Sequence, residues 1–232
     1  LQAELGRIYF YKKVDLSKAI SYLRPASENF HSINDTQNEA RALSILACSY
    51  LDTEQDELSQ NALRKIVPII GSLGELGVDG GAYECLAELF KHAGKLSKAI
   101  ESINKATKIL QISREDAKML PGLYAKKAGI EIKANEFAAA LVSYQEEARL
   151  YMQQGNSTDA YYTMDTICDL ASRLHKPQIC DDLIKEINNQ HDLEYHKIIH
   201  TARMLVRLGR HDEARTLFRR LSQLIEFDKN KP

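Results

Sequence analysis

The stretch Tyr83-Glu84-Cys85-Leu86-Ala87-Glu88-Leu89-Phe90, followed by Gly94-Lys95 and then by Ala99-Ile100-Glu101-Ser102-Ile103-Asn104-Lys105-Ala106, decides the fold. Its apolar residues recur at helical spacing on both sides of a glycine turn. Gly94 suits the end of the first helix, where a residue with φ > 0 stops the chain from continuing. Two antiparallel helices approach closely only where neither carries a bulky side chain. Ala87 and Ala99 supply that contact point, and Leu86, Phe90 and Ile103 fill the space around it. Ala106, seven residues after Ala99, lies where a further helix pair must stack.

The same arrangement repeats along the chain. Small residues stand at Ala19, Ser59, Ala99, Ala140, Cys180 and Ala214, at intervals of 40, 40, 41, 40 and 34 residues. Four residues after each comes a large apolar side chain: Leu23, Leu63, Ile103, Tyr144, Ile184 and Phe218. Twelve residues before each of the last five stands another small residue: Ala47, Ala87, Ala128, Cys168 and Ala202. Gly6 takes that place in the first repeat. A period of this length indicates stacked helix pairs, not one globular core.

These residues resemble the tetratricopeptide (TPR) repeat family. Tyr83-x-x-Leu86-Ala87-x-x-Phe90 with Ala99-x-x-x-Ile103-x-x-Ala106 matches the family pattern at every position class. Leu5-Gly6-x-x-Tyr9 and Leu46-Ala47-x-x-Tyr50 match well. The fourth repeat departs from it, with Lys127 and Glu131 at apolar positions, and the fifth has Ala171 at the Tyr position. The resemblance runs from Leu1 to about Phe227. It implies an all-α, right-handed superhelix of about six helix-turn-helix repeats, an α-solenoid. Intervals near 40, with no proline ending the second helices, are similar to the long-helix TPR regions of bacterial signalling proteins. Those include pheromone-sensing regulators, MalT-like transcription activators and sensor regions fused to diguanylate cyclases. Eukaryotic adaptors with 40-residue repeats share the period.

Twelve helices are expected. The first members run near 1–12, 37–52, 82–93, 121–134, 158–174 and 193–208. The second members run near 15–33, 55–75, 96–112, 136–154, 177–189 and 211–226. Turn signals separate them at Asn34-Asp35, Asp79-Gly80-Gly81, Gly155-Asn156-Ser157 and Asn188-Asn189. Pro121 and Pro177 suit first turns, where a missing N–H costs nothing. Pro25 and Pro68 fall inside second helices and read as bends, not boundaries. The 232 residues therefore read as one repeat domain. Because the chain starts on Leu1 in mid-pattern, it reads as a fragment of a longer protein with a flanking output domain.

Hydrophobic content of 44% and charged content of 27% are ordinary for a helical protein. No segment approaches 18 continuous apolar residues, so no part of this chain is expected in a membrane. The cytoplasm is the expected compartment, with a periplasmic sensor region as the alternative. Residues 194–232 hold nine Lys or Arg and five Asp or Glu, while the whole chain carries a net charge of −1. That basic end lacks the broad surface and reading element of a nucleic-acid binder. Oligomerisation is left open.

Four cysteines are present: Cys48, Cys85, Cys168 and Cys180. None form a C-x-x-C pair. Cys168 and Cys180 occupy the two small-residue positions of one repeat. The expected role is that of small buried residues, with a disulfide as the alternative. His196 and His200 are i, i+4 on one helix face and would need a third ligand to hold zinc. No metal, cofactor or catalytic residue is assigned.

The resemblance places function on the concave face lined by the first helices. Counting from the small residues assigns Arg41, Glu84, Glu88, Lys91, Lys133, Asp165, Asp169, Arg173, His196, Arg203 and Arg207 to that groove. Arg7, Ser44, Tyr162 and Ile199 join them. The Asn position of the TPR clamp for C-terminal carboxylates reads Arg7, Cys48, Glu88, Gly129, Asp169 and Arg203, which does not support such a clamp. The expected function is non-catalytic: a regulatory module that binds a protein or extended polar peptide for a signalling or transcription-regulatory protein. The alternative is a constitutive adaptor or assembly scaffold without switching.

Overall fold

The structure, a computed structural model, describes residues 1–73, 79–112, 117–189 and 194–229. Among these, twelve α-helices form and no strands do. They are α1 (Gln2–Tyr11), α2 (Leu16–Ser32), α3 (Thr36–Asp52), α4 (Asp56–Leu73), α5 (Gly80–His92), α6 (Leu96–Ile112), α7 (Leu120–Lys133), α8 (Phe137–Gln153), α9 (Ser157–Arg173), α10 (Pro177–Asn188), α11 (Glu194–Arg207) and α12 (His211–Lys229). A short 3-10 turn at Ala117–Met119 precedes α7. The expected helix limits at 75 and 193 lie outside the described residues; the others agree to within three residues.

The chain divides into two compact units, Leu1–Met119 and Leu120–Pro232. In each, consecutive helices pack as antiparallel pairs, α1 with α2 through α5 with α6 in the first unit and α7 with α8 through α11 with α12 in the second. Successive pairs stack through α2 against α3 and α8 against α9, and also through first helices, with α3 against α1 and α5, and α9 against α11.

The small residues do what the period requires. Ala19, Ala47, Ala87, Ala99, Ala128, Ala140, Cys168, Cys180 and Ala202 are fully buried, and Ser59 and Ala214 nearly so. Gly6 is as constrained as an Ala contact: a Cβ there would lie 2.5 Å from Leu23 Cγ. Leu23, Leu63 and Ile103 are buried as expected, each worth about 1.5–3 kcal/mol in the core. Phe218, the equivalent residue in α12, is 42% exposed. Pro25 and Pro68 lie inside unbroken α2 and α4, and Pro177 is the first residue of α10.

Every turn within a pair ends on a residue with positive φ: Lys13, Glu54, Gly94, Asn135, His175 and Gly209. The N–H that follows each one reaches back five residues to close the helix end. Gln55 N donates to Tyr50 O at 2.8 Å, and Lys95 N to Phe90 O at 2.8 Å. Only two of the six are glycine, so the geometry recurs where the expected residue does not.

Cys168 and Cys180 are joined as a disulfide, with Cα atoms 4.9 Å apart. The expectation of two unbonded small residues is corrected here, though both are also fully buried. The physical reason is the small-pair contact itself, which sets two backbones within disulfide reach. Cys48 and Cys85 are buried thiols.

The fourth repeat's departures are explained by a buried polar cluster. Ser143 Oγ on α8 donates to Glu131 Oε2 on α7 at 2.7 Å, and Lys127 Nζ lies 3.8 Å from Glu131 Oε1. Glu131 is only 3% exposed. Burial raises its pKa above the ordinary value, while the Ser143 bond and Lys127 oppose that rise.

Candidate functional site

In the second unit the first-helix face is built by α9 and α11. A Cys168–Ala171 stripe turns one side of α9 inward. Helical spacing then places Tyr162, Asp165, Asp169 and Arg173 on a neighbouring strip. Asp165 is not a free groove charge. It is 6% exposed, and His200 Nδ1 lies 2.9 Å from its Oδ2. Arg203 Nη1 donates to the same oxygen at 3.4 Å, and Arg207 Nη1 lies 4.0 Å from Oδ1. One carboxylate on α9 thus gathers three basic groups from α11. His200 is 4% exposed and lies beneath the rings of Tyr161 and Tyr162, at centroid distances of 5.6 and 4.9 Å.

Above that buried node the face is open. Tyr162 is 54% exposed, and the Arg203 guanidinium sits 6.0 Å from its ring centroid. Asp169 pairs with Arg173 at 3.1 Å and more loosely with Arg207 at 3.9 Å. His196 lies edge-on to Tyr195 at 4.5 Å. Lys133, in the last turn of α7, is exposed. Three arginines, Arg173, Arg203 and Arg207, stand against two carboxylates, Asp165 and Asp169, so this strip keeps one excess positive charge beside an aromatic surface.

In the first unit Arg41, Glu84, Glu88 and Lys91 occupy α3 and α5. Arg41 forms an ion pair with Asp79, the residue that caps α5 by accepting from Ala82 N at 2.9 Å. It also donates to Asn38 Oδ1 at 3.1 Å. Glu88 and Lys91 pair with each other along α5, and Glu84 is half-buried. Arg7 is held by Glu4 at 2.8 Å. Ser44 is fully buried with its hydroxyl turned to Ala40 O at 2.7 Å, so it faces the core and not the groove. Its small polar side chain can bond its own helix, which helix counting does not reveal.

Other residues at these faces carry no sequence signal. Tyr11, at the end of α1, reaches across to α5: a Cβ at Gly81 would run into its hydroxyl. Although Tyr11 as a whole is 40% exposed, the enclosure of its hydroxyl end raises its pKa above the usual phenol range, and Cys85, Asp79 and Glu84 nearby add to it. Cys48 Sγ donates to Cys85 O at 3.5 Å; its contact with Cys85 and its burial both raise its pKa. Glu147 on α8 is 7% exposed, and its Oε2 has no hydrogen-bond partner among the described residues. Burial pushes its pKa up to about 7, against a lowering hydrogen bond from Thr163 on α9.

Among the described residues no group of three or more His, Cys, Asp or Glu is placed to hold a metal ion, and His200 is engaged with Asp165, not aligned with His196 on a shared ligand. No described helix is long and apolar enough to cross a membrane.

No family model matches the chain, and no curated protein matches it by sequence. Solved structures do share the fold. The chain is similar to a Pseudomonas aeruginosa structure described as pilF, at 14% identity and a TM-score of 0.59, over 99% of this chain and 96% of that one. The apo form of RapI matches at 14% identity and a TM-score of 0.56, over 99% and 85% of the two chains. BtubC (BKLC) from P. vanneervenii matches at 15% identity and 0.51, over 94% of each. These structures share the all-α, TPR-like solenoid fold with this chain.

Proposed function

We propose that this chain is a non-catalytic module that binds a protein segment or extended polar peptide along its first-helix faces. The observation that carries the reading is the open Tyr162–Arg203 stack, flanked by Arg207, Asp169 and Arg173 over a buried ionic base. The base fixes the arginines in place before a partner arrives, which lowers the ordering cost of binding. An aromatic ring beside directed guanidinium groups suits polar main chain and acidic side chains. It does not suit a small apolar ligand, which needs an enclosed apolar pocket. The α3–α5 strip, where Arg41 and Lys91 flank Glu84 and Glu88, serves the same purpose by fixing register.

The role we propose is regulatory, within a signalling or transcription-regulatory protein; the long-helix repeat period supports it. A constitutive adaptor would use the same surface without a coupled output. The cytoplasm is the compartment proposed.

Peptide display on the 232-residue chain, followed by calorimetry on the selected peptides, tests the surface. Tyr162→Ala and Arg203→Ala are exposed changes and should each weaken binding about tenfold, as aromatic and arginine anchors do. Arg219→Glu on α12 should leave affinity unchanged. If Arg219→Glu abolishes binding while both first-helix changes are silent, the second helices are the working surface and the reading fails.

A further inference from the structure

A pocket of about 420 Å³ opens in the first unit between α2 and α4, with the N-terminal half of α3 as its floor. It is not part of the first-helix strip. Glu39 and Leu43, which line it, lie about 200° around α3 from Arg41. Its chemistry is graded with depth. Glu39 is at the bottom, 8% exposed, and Leu43 and Ile69 form apolar walls. Glu28, His31 and Lys65 stand exposed at the rim.

The Glu39 carboxylate is half satisfied. His31 Nδ1 lies 2.9 Å from Oε1, and among the described residues this is the only ion pair Glu39 makes. Its other oxygen has no hydrogen-bond donor described. That oxygen is not among the buried atoms left without a partner, so it is reachable from the pocket and available to a positively charged donor that enters. Glu28 adds a second acceptor at the mouth. Lys65 is close enough to line the pocket but makes no described ion pair with either acid.

We propose that this pocket receives an arginine side chain from a partner protein. The apolar walls match the methylene stem of such a side chain, and the acids match its head. Arginine is favoured over lysine for two reasons. A guanidinium is less strongly hydrated than an ammonium and loses less on entering a cleft walled by Leu43 and Ile69. Its forked donors can also engage Glu39 and Glu28 together. The site is separate from the first-helix faces and does not depend on their proposed role. It would give a partner a second point of attachment on the other side of α3.

The probe is N-acetyl-arginine amide, titrated into the isotope-labelled 232-residue chain and followed by amide chemical shifts. The expected result is saturable shifts centred on Leu43, Lys65 and Ile69, with affinity of order millimolar. The neutral isostere N-acetyl-citrulline amide should produce none, and N-acetyl-lysine amide weaker ones. Glu39→Gln and, should that variant fold poorly, the exposed Glu28→Gln should weaken binding by about tenfold and a few-fold respectively. Lys65→Met removes a competing cation and should tighten it. Arg203→Ala, which disrupts the proposed peptide face, should leave it unchanged. Equal responses to citrulline, shifts centred elsewhere, or binding seen only after Lys65→Met would overturn the proposal. The last outcome would show that Lys65 fills the pocket itself.

Discussion

Replacing Glu147 by Gln tests whether a buried acid sets the pH response of the second unit. Glu147 lies on α8 facing Thr163 and Asp159 of α9, and its charge is felt by Tyr144 and Tyr151 on its own helix. Its pKa is raised from 4.5 to about 7, chiefly by burial. Between those values the folded chain holds a proton that the unfolded chain has released. Stability is therefore greatest below about pH 4.5 on this account, falls as pH rises toward 7, and stays reduced above it. At about 1.4 kcal/mol per unit the full penalty has a ceiling near 3 kcal/mol. Local water and salt reduce it, so about 1–3 kcal/mol is expected. Gln keeps the shape and never carries the charge. Urea unfolding followed by far-ultraviolet circular dichroism should show Glu147→Gln more stable than the parent by that amount at about pH 8, and within a few tenths of a kcal/mol of it at about pH 4.5. Equal destabilisation of the variant at both values would refute the reasoning. So would a parent whose stability, after correction for other groups, does not fall across this window.

Three further outcomes follow from packing and pairing. Ala99→Leu places a large side chain in a fully buried helix contact and should cost about 1–3 kcal/mol in thermal or urea unfolding; no change would mean that α5 and α6 do not meet there. Asp165→Ala removes the carboxylate shared by His200, Arg203 and Arg207 and should cost about 3 kcal/mol, measured by the same assay, so Asp165 cannot serve as a silent probe of partner binding and Asp169 is the better one. Reducing the Cys168–Cys180 bond opens a loop of sequence separation 12 and should lower stability by about 3 kcal/mol; a Cys168→Ala, Cys180→Ala variant should match the reduced protein and be insensitive to reductant.

The repeat architecture was legible because it rests on local rules. A helix pair needs small residues at its crossing, and Ala87 with Ala99 or Gly6 against Leu23 show the need directly. The candidate surface was legible only as far as helical phase reaches. Phase assigned Tyr162, Asp165, Asp169 and Arg173 to one strip of α9. Phase could not say that Asp165 would sink beneath it, because its depth depends on what α11 presents 35 residues later in the chain. The same limit hid Ser44, which helix counting placed in the groove.

Sequence by itself determined the helices, their pairing order and the small contact points, since each depends on residues within one period of about 40. Tertiary structure alone decided which charges are spent and which are free. Arg41 is tied to Asp79, Asp165 to three groups of α11, while Glu39 keeps one oxygen open at the bottom of a pocket. It also decided that two cysteines at a small-residue crossing are bonded. The physical reason is range. Helix formation and close approach are encoded by spacing along the chain, whereas the pairing and burial of a charge depend on side chains from other helices whose distance in sequence carries no pattern.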